Sequence, residues 1–139
     1  MSPRPIRIHG LTEARAACAA AAELGVPVLL VSAPAASAHA GALWFRDVVA
    51  RAAAGFPNVA VTAVLDCADR AGDAQGALSA GVTTVLFTGR AEVAERLADI
   101  ARARGATLLT GLAPALELRG ARDPDVVCRE WLSGGHLPD

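Results

Sequence analysis

Aromatic residues, long apolar runs and an excess of either charge are all scarce in this chain of 139 residues. Aromatic residues make up only 4% of a sequence that is 53% hydrophobic, so the core must consist of closely packed alanine, valine and leucine. The 13 basic and 14 acidic residues leave no cationic excess for binding a nucleic-acid backbone. No apolar run reaches the roughly 18 residues of a membrane span. We therefore expect a soluble chain without nucleic-acid or membrane partners.

Cysteine is equally rare. Cys18, Cys67 and Cys128 are far apart in the chain and form no C-x-x-C pair. Because no secretory signal precedes them, we expect reduced thiols in a cytoplasmic protein.

What the sequence does contain is an alternation of apolar, strand-like runs with alanine-rich, helix-like runs. The central run, residues 59–68, is rich in β-branched residues and delivers Asp66 and Cys67 at its end. The predicted strands cover residues 5–10, 26–33, 59–68, 83–87 and 106–110. The predicted helices cover residues 11–24, 38–54, 69–80 and 91–104, with a short helix at 125–132.

The alternation predicts an α/β fold with a five-stranded parallel sheet and right-handed βα repeats. Either a flavodoxin-like open sheet or half of a (β/α) barrel satisfies this pattern. We expect one domain over residues 1–139, of which 125–139 are the short C-terminal helix and tail. Thr12 is the predicted N-cap of the first helix, and Gly25 is its predicted stop.

In such folds the functional residues lie where the parallel strands end. Asp66 is our candidate catalytic residue, because a carboxylate at a buried strand end can act as a general acid or base. The candidate ligand-binding residues share this edge of the sheet: Ser32, His39, Cys67, Thr88, Gly89, Arg90 and Thr110.

Each of these candidates has a structural alternative. Asp66 competes with Asp69 to cap the third helix, and Cys67 is more typical of a small buried hydrophobic residue than of a nucleophile. His39 can equally be a solvated histidine at a helix start. The segment 88–90 is either an anion-binding turn or an ordinary helix start.

We predict neither a metal nor another cofactor. The only plausible set of zinc ligands is His9, His39 and Cys67, and its spacing matches no metal-binding motif. No glycine-rich nucleotide-binding pattern is present either.

Three segments, residues 23–41, 59–68 and 77–90, resemble the class II, metal-dependent ketose-bisphosphate aldolases. The resemblance spans about two-thirds of the chain and the first half of a barrel. It implies that Asp66 stands at the family's proton donor and Cys67 at a histidine that binds the metal. Residues 108–111 replace a family segment that carries carboxylates. The resemblance therefore favours a degenerate binder of a phosphosugar or another small anion, without aldolase activity.

Two alternatives stay open: a weak lyase that uses Asp66, and a structural or regulatory module that acts through self-association or a protein partner. A sheet that is apolar on both faces needs more cover than four good helices supply. We therefore expect a homodimer, with Trp44, Phe45 and Trp131 as the residues available to anchor it.

Overall fold

The computed structural model describes residues 3–36 and 41–137, and these residues form six strands and five helices. The strands are β1 (Pro5–Arg7), β2 (Val28–Val31), β3 (Val61–Asp66), β4 (Thr84–Leu86), β5 (Thr107–Leu109) and β6 (Leu116–Glu117). The helices are α1 (Leu11–Leu24), α2 (Ala42–Ala54), α3 (Ala71–Ser79), α4 (Ala91–Ala103) and α5 (Pro124–Leu132). Within the described residues, none of these helices has the length and apolar character needed to cross a membrane.

The strands form a parallel sheet in the order β5-β4-β3-β2-β1-β6. The first five strands are therefore neighbours in the same order as in the chain. A flavodoxin-like sheet instead has the order 2-1-3-4-5, whereas consecutive order is the rule among barrel strands. The predicted α/β class and parallel pairing are confirmed, and β3 ends at Asp66 as expected.

The prediction of five strands is wrong because β6 was missed. This strand has only two residues, and it pairs with β1 through Ile6 opposite Leu116 and Arg7 opposite Glu117. Two residues cannot show the alternation by which strands are recognised in a sequence. The pairing also depends on contacts more than 100 residues apart in the chain.

The chain divides into two compact units, each assembled from separate segments. Unit 1 comprises Met1–Val31, Val48–Thr62 and Ala113–Asp139, and unit 2 comprises Ser32–Asp47 and Ala63–Leu112. The single domain predicted from the sequence stays a prediction.

In unit 1, helices α1 and α5 pack together, and the alanines and Cys18 on the buried side of α1 allow close approach. Trp131 of α5 is buried, and its indole N–H donates to the Pro5 carbonyl at 3.1 Å. The Arg4 guanidinium lies 3.5 Å from the centre of the Trp131 ring and donates to the Trp131 carbonyl at 2.5 Å. Trp131 is therefore committed to contacts within its own unit.

In unit 2, helices α3 and α4 pack on each other and on strands β4 and β5. Leu65, Leu78 and Phe87 are among the fully buried side chains of its core. On α2 the two adjacent aromatic residues differ, because Phe45 is buried whereas Trp44 is 41% exposed.

The observed ends of helices α1 and α2 agree only in part with those predicted from the sequence. Gly25 ends α1 in the left-handed conformation (φ 67°), as predicted. Thr12 is not the N-cap, because that position is Gly10, which makes no side-chain cap. Helix α2 begins at Ala42 after Gly41 (φ 88°), and residues 38–40 of the predicted helix lie outside the described residues.

Candidate functional site

The candidate site lies in unit 2, at the ends of strands β3, β4 and β5. Unit 2 contains every sequence-predicted site residue in the described part of the chain: Ser32, Asp66, Cys67, Thr88, Gly89, Arg90 and Thr110. His39, the remaining candidate, lies outside the described residues.

Asp66 joins the loops that follow β2 and β3. Its backbone N–H donates to Ser32 Oγ at 2.9 Å, and its backbone carbonyl accepts from the Ala35 N–H at 2.9 Å. Its carboxylate oxygen Oδ1 accepts from the Ala68 N–H at 2.9 Å. Ser32 is buried and Asp66 is only 5% exposed, so little water competes for these hydrogen bonds. Asp66 therefore fixes the backbone of both loops.

The two loops contain left-handed alanines. Ala35 (φ 57°) and Ala68 (φ 50°) are the non-glycine residues with positive φ among those the structure describes. This conformation costs an ordinary residue about 1–2 kcal/mol. Asp66 binds the N–H of each of them, one through its carbonyl and one through its carboxylate. Backbone strain that surrounding contacts hold in place is concentrated at ligand-binding and active sites.

Asp66 is not the N-cap of α3. The N-cap of α3 is Arg70, which makes no side-chain cap hydrogen bond, so Asp69 does not fill that position either. The hydrogen bond from Ala68 to the Asp66 carboxylate is instead an Asx-type turn, in which the side chain binds the backbone two residues ahead. The position of Asp66 at the end of β3 was predicted correctly, and its catalytic role stays a prediction.

Cys67 is fully buried, and its backbone N–H donates to the Leu86 carbonyl at 2.9 Å. This agrees with a small apolar residue that continues the pairing of β3 with β4. Among residues 3–36 and 41–137, no three histidine, cysteine, aspartate or glutamate side chains cluster as metal ligands would. The described residues therefore supply no donor set for the metal site that the aldolase resemblance implies, and the candidate ligand His39 lies outside them.

The turn at residues 88–90 is joined to the Asp66 loop. The Thr88 N–H donates to the Ala68 carbonyl at 2.8 Å, so the loops after β3 and β4 are linked directly. Arg90 is the N-cap of α4 and makes no cap hydrogen bond. Its guanidinium, 82% exposed, pairs with Glu92 at 2.5 Å. An exposed pair of this kind contributes roughly 0–1 kcal/mol, so a bound anion can replace Glu92 at little cost.

Gly89 and Thr110 complete this edge. A side chain at Gly89 would overlap the ring of Phe87, so close packing keeps this position a glycine. Thr110 follows β5 and is exposed, and β5 is tied to β4 by the Phe87 N–H, which donates to the Leu109 carbonyl at 2.9 Å.

A second polar cluster, in unit 1, was not predicted. His9 follows β1, and its Nε2 lies 2.5 Å from Glu117 Oε1 on β6. Arg119 donates from its backbone N–H to the same carboxylate oxygen at 2.8 Å, and its Nη2 lies 3.3 Å from His9 Nδ1. Sequence reasoning placed His9 at a strand end but missed its partners, because Glu117 lies on the unrecognised strand β6 and Arg119 follows it.

Glu117 is the carboxylate of this cluster. Partial burial raises the pKa of its carboxyl group, but hydrogen bonds from Arg119 and His9 and the charge of Arg7 outweigh that effect. The net result is a pKa below the usual value for glutamate. Glu117 is therefore ionised at neutral pH.

Comparison with known proteins finds likeness at the level of the fold. No protein-family model and no curated protein matches the chain. Among solved structures, a protein from Coccidioides immitis described as a "putative fructose-1,6-biphosphate aldolase" matches with a TM-score of 0.63 and 21% identity. The match covers 77% of this chain and 44% of that protein, so this chain corresponds to less than half of the neighbour's length. The match supports an aldolase-like fold.

Proposed function

We propose that the carboxyl-end edge of unit 2 binds a small anionic molecule of the sugar-phosphate type and does not cleave it. The observation that carries this proposal is the pair of left-handed alanines, Ala35 and Ala68, both held by Asp66. A module that merely folds gains nothing from two strained loops, whereas a binding site gains a backbone already in its bound shape. The consecutive order of the first five strands and the aldolase-like fold support the view that the chain is half of a barrel.

The charge at this edge favours an anion. Arg90 carries an exposed guanidinium at the start of α4, where the N-terminal end of the helix adds partial positive charge. The hydrogen bond between Thr88 and Ala68 connects that helix start to the strained loop. An anion at Arg90 would therefore lie beside backbone that Asp66 has already fixed.

Several features support binding without aldol cleavage. Asp66, the family's proton donor by resemblance, is buried and engaged by the backbone. Cys67 replaces the histidine ligand, and residues 108–111 lack the carboxylates of the corresponding family segment. The 139 residues contain no lysine, which excludes a lysine Schiff base as the alternative route to aldol chemistry.

The test is a thermal-shift titration with fructose 1,6-bisphosphate and, separately, inorganic phosphate. Ligand at 100 times its Kd stabilises the folded state by about 2.7 kcal/mol, so we expect a rise in Tm of several degrees. Arg90→Gln should abolish the shift. Arg96→Gln, which alters an exposed arginine farther along the same helix, is the matched control and should retain it.

Three outcomes would contradict the proposal. One is the absence of any shift at millimolar concentrations of both probes. The second is an equal loss of the shift in Arg90→Gln and Arg96→Gln. The third is aldol cleavage of fructose 1,6-bisphosphate that disappears in Asp66→Asn, a result that would establish the weak lyase instead.

Self-association is a second proposal, supported by a specific surface. Leu43 and Trp44, at the start of α2, are 47% and 41% exposed, and they border a hollow of about 410 Å³ lined by small residues of α3 such as Gly72 and Gly76. Large apolar residues beside a small-residue hollow favour a protein contact. Light scattering at micromolar concentration should report a dimer that Trp44→Ser converts to monomer, and a monomeric wild type would refute this proposal.

A further inference from the structure

The cluster of His9, Glu117 and Arg119 lies entirely within unit 1 and shares no residue with the site proposed above. It occupies the ends of two adjacent parallel strands, β1 and β6, which is the edge where α/β proteins place their chemistry. It contains a base, a carboxylate and a guanidinium in direct contact.

The hydrogen bonds determine where the proton of His9 resides. Arginine can only donate, so Nδ1 must accept from Arg119 Nη2 and cannot carry a proton while this contact lasts. The proton of the neutral imidazole is then on Nε2, which donates to Glu117 Oε1 at 2.5 Å. In this tautomer the ring presents its Nδ1 lone pair and is oriented by a carboxylate, as in catalytic triads.

Other contacts hold this pair without the Arg119 side chain. The backbone N–H of Arg119 donates to Glu117 Oε1 at 2.8 Å, and the backbone N–H of His9 donates to Glu13 Oε1 at 2.7 Å. Arg119 can thus turn its guanidinium to a ligand while His9 and Glu117 keep their positions. The side chains of His9 and Glu117 are 18% and 50% exposed, so a small molecule can reach them.

We propose that His9 is a general base for small 2-oxo carboxylates, and that Arg119 binds the carboxylate of the substrate. A guanidinium prefers a planar carboxylate as its partner, and a 2-oxo acid carries an acidic C–H close to that group. Because His9 Nδ1 and Arg119 Nη2 lie side by side, at 3.3 Å, in the free protein, a molecule whose acidic proton and carboxylate are close neighbours can reach both groups. Binding the carboxylate withdraws Arg119 from Nδ1, so the ligand itself uncovers the base.

The chemical step is a balanced enolisation. A C–H bond next to the keto group breaks, its proton moves to His9 Nδ1, and its electron pair moves to the keto oxygen beside the Arg119 guanidinium. Glu117 is a positioning residue, because it stabilises the imidazolium that forms without contacting the substrate. Return of a proton from His9 regenerates the 2-oxo acid, so in D2O the reaction exchanges hydrogen for deuterium.

The test uses the full chain and pyruvate as the probe. Proton NMR in D2O should show loss of the pyruvate methyl signal faster than in buffer, and His9→Gln should slow the protein-dependent exchange by about 100-fold or more. Arg119→Gln should raise the pyruvate concentration needed for half-maximal exchange. Arg122→Gln, at another exposed arginine of the same segment, should leave it unchanged.

A second readout separates catalysis from a structural role. Nitrogen-15 spectra of the His9 ring should show a proton on Nε2 and none on Nδ1, and pyruvate should shift the Nδ1 resonance. Glu117→Gln should disturb this tautomer and slow exchange while the circular dichroism spectrum stays the same. A proton on Nδ1 in the free protein, exchange that survives His9→Gln, or an Nδ1 signal unmoved by pyruvate would each overturn the proposal.

Discussion

Replacing Ala68 with glycine should make the protein more stable, although the same change destabilises most proteins. Ala68 has φ 50° in the loop after β3, a conformation that glycine adopts without strain. The side chain being removed is a single methyl group. No large packing contact is therefore lost with it.

The magnitude follows from two opposing terms. Relief of the left-handed conformation returns about 1–2 kcal/mol, and the greater freedom of glycine in the unfolded chain removes about 0.4–1 kcal/mol of that. The midpoints of the two ranges leave a net stabilisation of about 0.8 kcal/mol. For a chain of this size we expect a rise in Tm of about 2–5 °C.

Urea denaturation followed by circular dichroism measures the effect, and Ala50→Gly is the matched control. Ala50 is an exposed residue inside α2, so the same substitution there should cost about 1 kcal/mol of helix stability. If Ala68→Gly destabilises the protein as much as Ala50→Gly does, the strain argument is wrong. If the strained loop preorganises the proposed anion site, Ala68→Gly should also weaken the sugar-phosphate shift in Tm.

Three further predictions concern thiols, acid stability and packing. Burial raises the pKa of Cys18 to about 11, and burial together with nearby acidic charges raises the pKa of Cys128 to about 12. Iodoacetamide should therefore label neither thiol at pH 7.5 unless urea is added. Mass spectrometry that finds labelling of the native protein would contradict this. The pKa of Glu117 is lower in the folded state, so its contribution to the free energy of unfolding is complete above about pH 4.5 and is lost as the pH falls below that value. In urea titrations between pH 5 and 3, Glu117→Gln should therefore lose less stability than wild type. Gly89→Ala should lower the free energy of unfolding by about 1–3 kcal/mol, because the added methyl group must displace the buried ring of Phe87. An unchanged Tm would show that the ring can move freely.

The sequence predicted the features that depend on neighbouring residues. The apolar run ending at Asp66 identified both the buried strand and the edge where it ends, because a strand covered on both faces must be apolar along its length. Gly25 was recognised as a helix stop because few other residues adopt its conformation. These signals lie within a few positions of the structure they determine.

Contacts between distant residues explain what the sequence could not show. The N-cap error at Thr12 is an exception, because it involves a local contact in which the His9 N–H, just ahead of the helix, donates to Glu13. The role of Asp66 depends on Ser32, 34 residues earlier. His9 and Glu117 are separated by 108 residues, and no local pattern connects them.

The segments that make up the two units also constrain the order in which the chain can fold as it is synthesised. Unit 2 has all its residues once Leu112 has been made, whereas unit 1 still lacks Ala113–Asp139 at that point. Strand β1 is therefore made more than 100 residues before its neighbour β6. Until then that side of β1 exposes unpaired backbone groups, the kind of surface that draws other chains into aggregates. The two residues of β6 thus protect a nascent chain at its most vulnerable edge, and deleting them should lower the yield of soluble protein from a translating ribosome.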